Sequence, residues 1–453
     1  MEMDFNELIE AISGDLVVSC NDKKFNKVCT DTRKIEKGNV FLALKGEKFN
    51  ANEYVKEAIN KGASVVIVDE ILFNEDELCG LSNVIKVNNT YDALLDLAAY
   101  YRKKLNIKVV GVTGSTGKTS TKDLVAAFLS GKYKVFKTKG NFNNHIGMPL
   151  MILELDSSYD VAVLEFGMSN LGEIHTLVKC ARPDIGMITN IGLSHIENLK
   201  TQDNILKAKL EITDYFDKDN LLILNNEDEF LSKVHDKNFR IEHVGYKNNC
   251  DIKAINVEID EKTTSFTIKD DKEYRFVLPM VGKHNVLNAL LGIAASKELN
   301  VSYEEMLEGL KKLEATSMRL EFIKKDKITI INDAYNASPD SMKAALDVLN
   351  NCTAKRKVAI LGTMRELGDE SERAHEEVAR YAKDKIDLLI VTGEYSKNYK
   401  IGFDNNAIQI YNTKEELINN LSKVIKEGDA IVVKASRGMK YEDIVKALEN
   451  IEL

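Results

Sequence analysis

Short apolar runs alternate with amphipathic stretches along most of this 453-residue chain. Continuous apolar runs, such as 161–165 and 185–189, predict strands of a parallel sheet that is buried on both faces. Stretches with a period of about 3.6 residues, such as 91–105 and 285–298, predict helices between those strands. This strand-then-helix rhythm is typical of α/β folds, and no internal repeat is evident.

The same pattern divides the chain into three blocks. The first, 1–105, ends in an amphipathic helix that resembles a connector. The second, 106–315, opens with a glycine-rich loop and contains a more polar, β-rich stretch at 251–276. The third, 316–453, alternates four apolar strands with helical segments, which predicts a doubly wound sheet. We therefore predict an α/β protein of three domains, with a small N-terminal domain, a central mononucleotide-binding domain and a C-terminal Rossmann-like domain.

The loop that opens the second block carries the clearest chemical signal. It joins an apolar strand to a helix and reads Gly111-Val112-Thr113-Gly114-Ser115-Thr116-Gly117-Lys118-Thr119. Backbone N–H groups of such a loop bind phosphate, Lys118 adds a positive charge, and the Thr119 hydroxyl can join a Mg²⁺ shell. The strict phosphate-loop pattern places its first glycine where this chain has Val112. A glycine-rich turn with a surface lysine is the alternative, but the strand–loop–helix context favours a nucleoside triphosphate site.

Two polar residues follow the strands expected on either side of this loop. Glu165 ends the strand at 161–164, and His195 follows the strand at 185–189. Ligands bind beyond the carboxyl ends of strands in open α/β sheets, so both side chains are expected near Lys118. A carboxylate and an imidazole beside a triphosphate indicate metal ligands. Taken singly, Glu165 also fits a solvated strand end and His195 a structural loop histidine.

A lysine interrupts the apolar face of the helix predicted at 202–216. Residues spaced four, three and four apart share that face: Ile205, Lys209, Ile212 and Phe216. An unpaired ammonium in such a stripe is costly unless its end extends to solvent from the edge of the stripe. The functional alternative is a desolvated amine whose pKa is lowered and which can be chemically modified.

Polar residues near the start of the last helix of the second block and in the third block can bind a nucleotide. Asn285 and Asn288 lie on one helix, where Asn285 can instead act as a cap. Arg319 lies at the start of the third block, and Asp333 follows a third-block strand.

Composition and charge narrow the classes of function. A net charge of −9 argues against general binding to nucleic acid or to a membrane surface. The six cysteines lack metal-ligand spacing, which favours isolated thiols in a reducing cytosol. The acidic N-terminus lacks the features of a signal peptide, and no apolar run approaches the about 20 residues of a membrane span. We expect a cytoplasmic protein with no transmembrane segment.

The phosphate loop and the polar positions together resemble the motifs of the Mur ligase family, over essentially the whole chain. The matching motifs include Asn190, Ala208-Lys209 and Asn332-Asp333. The family consists of ATP-dependent amide ligases that assemble the peptide of bacterial cell-wall precursors. Segments 140–150, 335–342, 366–368 and 436–440 resemble the branch that joins D-alanyl-D-alanine to UDP-N-acetylmuramoyl-tripeptide. The Asp-Asn-Pro-Arg motif of a related, diaminopimelate-adding branch is absent.

The resemblance implies a mechanism in which the tripeptide carboxylate attacks the γ-phosphate of ATP. The amine of D-alanyl-D-alanine then attacks the acyl phosphate, and phosphate leaves through a tetrahedral intermediate. Lys118, His195 and Lys209 are the catalytic residues that it implies. The implied ATP-binding residues are Thr113, Gly114, Ser115, Thr116, Gly117, Lys118, Thr119, Asn285, Asn288, Arg319 and Asp333.

The resemblance also implies two Mg²⁺ ions and a modified lysine. Thr119 would bind one ion, and Glu165 and His195 would bind the second. Lys209 matches a family lysine that carries a CO₂-derived carbamate, which would help to organise the second ion. The implied metal ligands are Thr119, Glu165, His195 and Lys209.

For the UDP-substrate, the resemblance makes the first block the substrate-binding domain. Thr32 and Arg33 match the region that holds the UDP end, where a plain turn with an exposed arginine is the alternative. Asn144 is expected against the peptide portion. We expect a monomer, and the third residue of the tripeptide, lysine or diaminopimelate, stays open.

Three positions depart from the family pattern, and three other functions stay in view. Asn52 stands where the family often has histidine, Ser194 where relatives carry aspartate, and Thr363 where this branch is often acidic. A folylpolyglutamate synthase is the nearest alternative within the superfamily. A small-molecule kinase would need only the phosphate loop, and a nucleotide-dependent binding module would need no catalysis.

Overall fold

Three large, mainly parallel sheets follow one another along the chain, which confirms the predicted three-domain α/β class. The structure, a computed structural model, describes residues 1–235, 237–313 and 317–453. The predicted boundary between residues 315 and 316 lies outside the described residues. The helices within these ranges include none that is long and apolar enough to cross a bilayer.

The first sheet has the strand order β1-β7-β6-β3-β2, with only β1 antiparallel to its neighbour. A separate ribbon pairs β4 with β5. The strands are β1 (Asp15–Val18), β2 (Val28–Cys29), β3 (Val40–Leu42), β4 (Lys45–Gly46), β5 (Phe49–Asn50), β6 (Val65–Val68) and β7 (Asn83–Lys86). The helices are α1 (Phe5–Ile12), α2 (Val55–Asn60) and α3 (Thr90–Lys104).

The central sheet has nine strands in the order β16-β15-β14-β13-β12-β11-β8-β10-β9, parallel up to an antiparallel end formed by β14 to β16. Its strands are β8 (Lys108–Thr113), β9 (Val135–Lys137), β10 (Val161–Glu165), β11 (Ile185–Ile188), β12 (Leu221–Asn225), β13 (Arg240–Gly245), β14 (Ile252–Ile259), β15 (Thr264–Ile268) and β16 (Asp271–Leu278). Its helices are α4 (Lys118–Leu129), α5 (Gly147–Leu153), α6 (Glu173–Ala181), α7 (Ile196–Leu199), α8 (Gln202–Leu210), α9 (Lys283–Glu298) and α10 (Tyr303–Leu310).

The third sheet has the order β17-β18-β22-β19-β20-β21, with only β17 antiparallel. Its strands are β17 (Glu321–Lys324), β18 (Thr329–Asn332), β19 (Arg356–Leu361), β20 (Leu388–Thr392), β21 (Ile408–Tyr411) and β22 (Asp429–Lys434). Its helices are α11 (Pro339–Asn350), α12 (Ser371–Ala382), α13 (Ser396–Phe403), α14 (Lys414–Val424) and α15 (Glu442–Glu449).

Helix α3 connects the first and central sheets by packing on both sides. It contacts α1 on one side and both α5 and α6 on the other. The buried Tyr101 hydroxyl donates to the Leu155 carbonyl at 2.7 Å, and Arg102 Nε donates to the Ala181 carbonyl at 3.1 Å. These buried hydrogen bonds fix the angle of the helix, because breaking one would leave a buried polar group unpaired.

Strand order explains why the predicted site residues meet in the central sheet. Strand β8 lies between β10 and β11, with Glu165 paired in register with Val112 and Ile188 with Thr113. The three strands are parallel, so the phosphate loop and the polar residues that follow β10 and β11 emerge at one edge of the sheet.

The helix predicted at 202–216 is wrong in its extent. Helix α8 ends at Leu210, and a 3₁₀ turn over Glu211–Thr213 follows it. The Thr213 hydroxyl donates to the Leu210 carbonyl at 2.8 Å. Such a side-chain bond competes with the α-helical ladder and tightens the last turn. Lys209 nevertheless keeps the buried position that the pattern predicts.

Candidate active site

The phosphate loop runs between β8 and α4 with two glycines in conformations that a side chain would oppose. Gly114 has φ +151, and a Cβ there would lie 1.7 Å from the Thr189 hydroxyl oxygen. Gly117 precedes the first turn of α4 with φ +78, where a Cβ would meet Asn288 Oδ1 at 2.9 Å. The backbone conformation and the close packing of this loop therefore favour glycine at positions 114 and 117, which accounts for the irregular glycine spacing.

Asn190, which follows β11, holds the tip of the loop. Its Oδ1 accepts from the Thr116 N–H at 3.0 Å, and its Nδ2 donates to the Thr116 hydroxyl at 2.8 Å. Its carbonyl also accepts from the Ser115 N–H at 3.0 Å. The loop is thus fixed from the neighbouring strand before any phosphate binds, which reduces the entropy lost on binding.

Lys118 begins α4 and folds back over the loop. Its Nζ donates to the Gly114 carbonyl at 2.7 Å. Burial lowers the pKa of Lys118, while the nearby Glu165 carboxylate acts in the opposite direction. The ammonium is therefore poised where a phosphate would supply the anionic partner that it lacks.

Glu165 at the end of β10 is buried, and both of its carboxylate oxygens are engaged. Oε2 accepts from the Thr119 hydroxyl at 2.9 Å, and Oε1 accepts from Asn143 Nδ2 at 2.9 Å. Thr119 and Glu165 therefore present hydroxyl and carboxylate oxygen side by side, the type of ligand that Mg²⁺ prefers. Sequence reasoning missed Asn143 and singled out the next residue, Asn144, instead.

His195 follows β11 and lies at the start of α7. Its backbone is left-handed, with φ +66, and its side chain is 20% exposed. Nδ1 lies 2.5 Å from Oε2 of Glu366, a residue of the third sheet's domain. The contact is at ion-pair distance but outside hydrogen-bond geometry, and Nδ1 has no hydrogen-bond partner in the part of the chain described.

Lys209 lies in the last turn of α8 and is 1% exposed. No hydrogen bond or ion pair reaches its ammonium from the described residues. Burial, together with the charge of Lys118, holds the pKa of Lys209 well below its ordinary value. The alternative that Lys209 extends to solvent is therefore wrong. Its surroundings favour the neutral form of the amine, which is the reactive one.

The domain of the third sheet forms the opposite wall. The Arg319 guanidinium stacks on the Tyr335 ring at 4.1 Å from its centroid, and its charge reaches Lys118. Asp333 follows β18 and pairs with the buried Lys434 at 2.5 Å. Lys434 is a second residue that sequence reasoning missed, because its role depends on a partner about a hundred positions away in the chain.

Asn285 and Asn288 lie on α9 beside the phosphate loop. Asn288 Nδ2 donates to Asn285 Oδ1 at 3.2 Å, and Asn285 Nδ2 donates to the Val281 carbonyl at 3.0 Å. The Asn285 side chain therefore bonds to the segment just before α9. This contact is similar to the helix-cap role that the sequence left open. Both side chains still face the cleft.

Most of the predicted site residues line one cleft of about 1860 Å³ between the two domains. These are Ser115, Thr116, Gly117, Lys118, Thr119, Asn144, Glu165, His195, Asn285, Asn288, Arg319 and Asp333. Thr113, Gly114 and Lys209 are not among the residues that line this cleft, and Lys209 instead lies within electrostatic reach of Lys118. In residues 1–235, 237–313 and 317–453 no three His, Cys, Asp or Glu side chains form a metal-binding cluster.

Thr32 and Arg33 line a separate cavity of about 620 Å³ in the N-terminal domain. Arg33 and the carboxylate of Asp31 form an ion pair at 2.8 Å, and hydrogen bonding from Arg33 lowers the pKa of Asp31 to about 2. Phe49 and Tyr54 stack on the rim with ring centroids 5.1 Å apart. A cavity with hydroxyl, guanidinium and aromatic groups can hold a nucleotide.

Three positions that sequence reasoning discussed have structural partners. Asn144 Oδ1 accepts from the Gly147 N–H at 2.8 Å and so closes its own loop at the edge of the cleft. Asn52 is buried and donates to Asp69 Oδ1 at 2.8 Å. Thr363 is buried, with its hydroxyl against Gly393.

Two models of Mur ligase domains match this chain. The Mur ligase middle domain matches residues 112–296, and the Mur ligase glutamate ligase domain matches residues 318–437. A UDP-N-acetylmuramoyl-tripeptide--D-alanyl-D-alanine ligase of Bacillus subtilis (strain 168) is 41% identical over 93% of this chain and 92% of its own length. The chain belongs to the Mur ligase family.

Solved structures of Mur ligases share the whole architecture. MurF from Acinetobacter baumannii superposes with a TM-score of 0.92 at 29% identity, covering 99% of each chain. MurF ligase from Thermotoga maritima, solved in complex with ADP, gives 0.83 at 27% identity over 94% of this chain and 97% of its own. A folylpolyglutamate synthase of Mycobacterium tuberculosis shares only the fold, with 14% identity and a TM-score of 0.61 over 80% of this chain and 95% of its own.

Proposed function

We propose that this Mur ligase uses ATP to join D-alanyl-D-alanine to UDP-N-acetylmuramoyl-tripeptide, releasing ADP and phosphate. The observation that carries the proposal is the combination of three features in the central domain. The phosphate loop, held in place by Asn190, and the Thr119–Glu165 pair line the cleft. Lys209, buried and without a partner among the described residues, lies within electrostatic reach of Lys118. A kinase needs the first feature but has no use for a buried lysine within electrostatic reach of Lys118.

The donor set fits Mg²⁺, although the protein alone offers few ligands. Mg²⁺ is commonly held by one or two protein groups together with substrate phosphates and water. Thr119 would hold one ion, and Glu165 with His195 would hold a second. The ions would neutralise the charge that builds up on the transferred phosphoryl group.

Lys209 would bear a carbamate in the active enzyme. Its amine nitrogen would form a bond to the carbon of CO₂ and release a proton, which replaces an unpaired amine with an anion. Burial lowers the pKa of Lys209 and so favours the neutral, nucleophilic form of the amine that this step needs. The anion would lie next to Lys118 and help to hold the second Mg²⁺ site.

The remaining residues bind and orient the reactants. The loop N–H groups and Lys118 would hold the β- and γ-phosphates, and Asn285, Asn288, Arg319 and Asp333 would contact the rest of ATP. The tripeptide carboxylate then attacks the γ-phosphorus and ADP leaves. The amine of D-alanyl-D-alanine attacks the acyl carbon, loses a proton and expels phosphate. Catalysis of both steps depends on positioning and charge neutralisation in a closed cleft.

A long substrate would explain the two separate cavities. Thr32 and Arg33 would bind the UDP end in the N-terminal cavity, and the peptide would extend past Asn144 into the main cleft. Cytoplasmic localisation and a monomeric state stay predictions.

The decisive experiment follows phosphate release and product mass with UDP-N-acetylmuramoyl-tripeptides that carry lysine or diaminopimelate at the third position. Each is tested with and without D-alanyl-D-alanine. We expect one phosphate and one new amide per ATP, only when both substrates are present. A stable phosphoester without released phosphate would support the kinase instead. A parallel reaction with a folate and glutamate tests the folylpolyglutamate synthase, which glutamate addition would support.

A further inference from the structure

Glu366 reaches from the C-terminal domain to a predicted metal ligand of the central domain. It lies in the segment between β19 and α12, and its Oε2 atom is 2.5 Å from His195 Nδ1. The carboxylate is half exposed to the cleft, whereas the imidazole is largely enclosed. This contact therefore joins the two walls of the cleft at the histidine.

The backbone is constrained at both residues of this contact. His195 and Glu366 are both left-handed, with φ of +66 and +64, a conformation that is unfavourable for residues other than glycine. The Glu197 N–H donates to the Glu366 carbonyl at 3.2 Å. Gly368 has φ +52, and a Cβ there would lie 3.2 Å from the Glu197 Cα, so the segment packs tightly on α7.

The charges around Glu366 agree with this placement. The contact with His195, and secondarily the charge of Lys118, lower the pKa of Glu366. The C-terminal domain thus brings a carboxylate to within electrostatic reach of the phosphate loop. Nothing in the sequence motif at 366–368 indicated a partner in the central domain.

We propose that Glu366 is a positioning residue that orients the His195 imidazole for its metal ion when the C-terminal domain closes on the central domain. The proposal rests on the proposed function, which makes His195 a metal ligand. A histidine that binds a metal through one nitrogen is commonly oriented by a carboxylate at the other. Because the two residues come from different domains, an open cleft would leave the imidazole without this carboxylate.

The test uses the full chain with Mn²⁺, a methylene-bridged ATP analogue and UDP-N-acetylmuramoyl-tripeptide. Pulsed electron paramagnetic resonance detects the nitrogen of an imidazole bound to Mn²⁺, and titration gives the Mn²⁺ affinity. We expect the nitrogen signal in the unmodified protein and its loss in His195→Ala. In Glu366→Ala we expect a weakened signal and an affinity lower by about tenfold or more.

Glu372→Ala is the matched control, because Glu372 is an exposed glutamate on α12, six residues further along. It should keep both the signal and the affinity. Glu366→Gln preserves the shape of the side chain and guards against misfolding, and its affinity loss should have the same direction. If both Glu366 variants match the unmodified protein, the proposal is overturned. If the unmodified protein shows no nitrogen signal, His195 is not a metal ligand, and that outcome overturns the metal assignment together with this proposal.

Discussion

Each of the two domains that line the cleft buries a lysine, and the neighbouring charge acts on the pKa of each lysine in the opposite direction. Lys209 in the central domain is 1% exposed, and Lys434 in the C-terminal domain is 2% exposed. Lys434 donates to Asp333 at 2.5 Å and to the Asn336 carbonyl at 2.8 Å. Lys209 makes no such contact with any residue that the structure describes.

Burial lowers the pKa of both lysines, so burial alone does not separate them. For Lys434 the Asp333 carboxylate opposes the effect of burial and favours the charged form. For Lys209 the nearby charge is that of Lys118, which adds to the effect of burial. A buried lysine with a carboxylate partner has a structural role, whereas a buried lysine without a partner is available for chemistry.

The largest expected effect comes from removing the unpaired lysine. Lys209→Met should lower the rate of ligation by about 100-fold or more, because a group that organises a metal site is lost. Its unfolding temperature should equal or exceed that of the unmodified chain, since an unpaired buried amine is removed. Phosphate release and thermal unfolding measure the two effects.

Lys209→Ala provides the companion variant, since it opens space beside the site. Formate or acetate should restore part of its activity by supplying a carboxylate in place of the carbamate. Full activity of either variant without additive would rule out the role of Lys209. A marked loss of stability in Lys209→Met would instead reveal a partner for the ammonium and remove the contrast with Lys434.

Removal of the paired lysine should act on stability. Lys434→Met leaves the Asp333 carboxylate without its partner, at a cost of about 3 kcal/mol in the free energy of unfolding. Adding Asp333→Asn should recover part of the loss, because the uncompensated charge disappears. Urea unfolding measures the double-mutant cycle. If the changes in the free energy of unfolding of the two single variants simply add in the double variant, the Lys434–Asp333 pair does not stabilise the wall in the way proposed.

A smaller effect concerns His375 of the C-terminal domain, whose imidazole is buried in its neutral form. His375 is fully buried, Nε2 accepts from the Met364 N–H at 2.9 Å, and burial lowers its pKa to about 4. The unfolded chain binds a proton on this histidine below about pH 6.5, whereas the folded chain does so only below about pH 4. Stability should therefore fall as pH falls between these values, by up to about 3 kcal/mol.

His375→Gln should flatten this pH dependence, because glutamine accepts the same hydrogen bond without titrating. The matched control is His145→Gln, since His145 is exposed to solvent. Urea unfolding at about pH 4.5 and about pH 7 compares the variants, because the protonation of His375 differs between the folded and unfolded chain only at the lower value. An unchanged slope in His375→Gln would assign the acid sensitivity to other groups.

Local sequence predicted the central wall well. Glu165 and the phosphate loop were placed together because parallel strands carry the residues that follow them to one edge of the sheet. The helical period around Lys209 predicted its burial, although the helix ends at Leu210 rather than at 216. That error arose because the Thr213 side chain competes for a helix carbonyl, a detail that periodicity does not contain.

Contacts between polar side chains of separate segments could not be predicted from the sequence. Asn143 meets Glu165 through a loop conformation, Lys434 meets Asp333 across neighbouring parallel strands, and Glu366 meets His195 across two domains. Each pairs polar side chains that are far apart in the chain, and polar residues in loops follow no period from which a partner can be read.

The sequence by itself determined the α/β class, the phosphate loop, the buried lysine and the family, because strand and helix periods and short-range motifs are local properties. Only the tertiary structure decided which of two buried lysines has a partner and which carboxylate reaches His195. Those outcomes depend on how the domains pack, and packing sets the distances on which charge interactions depend.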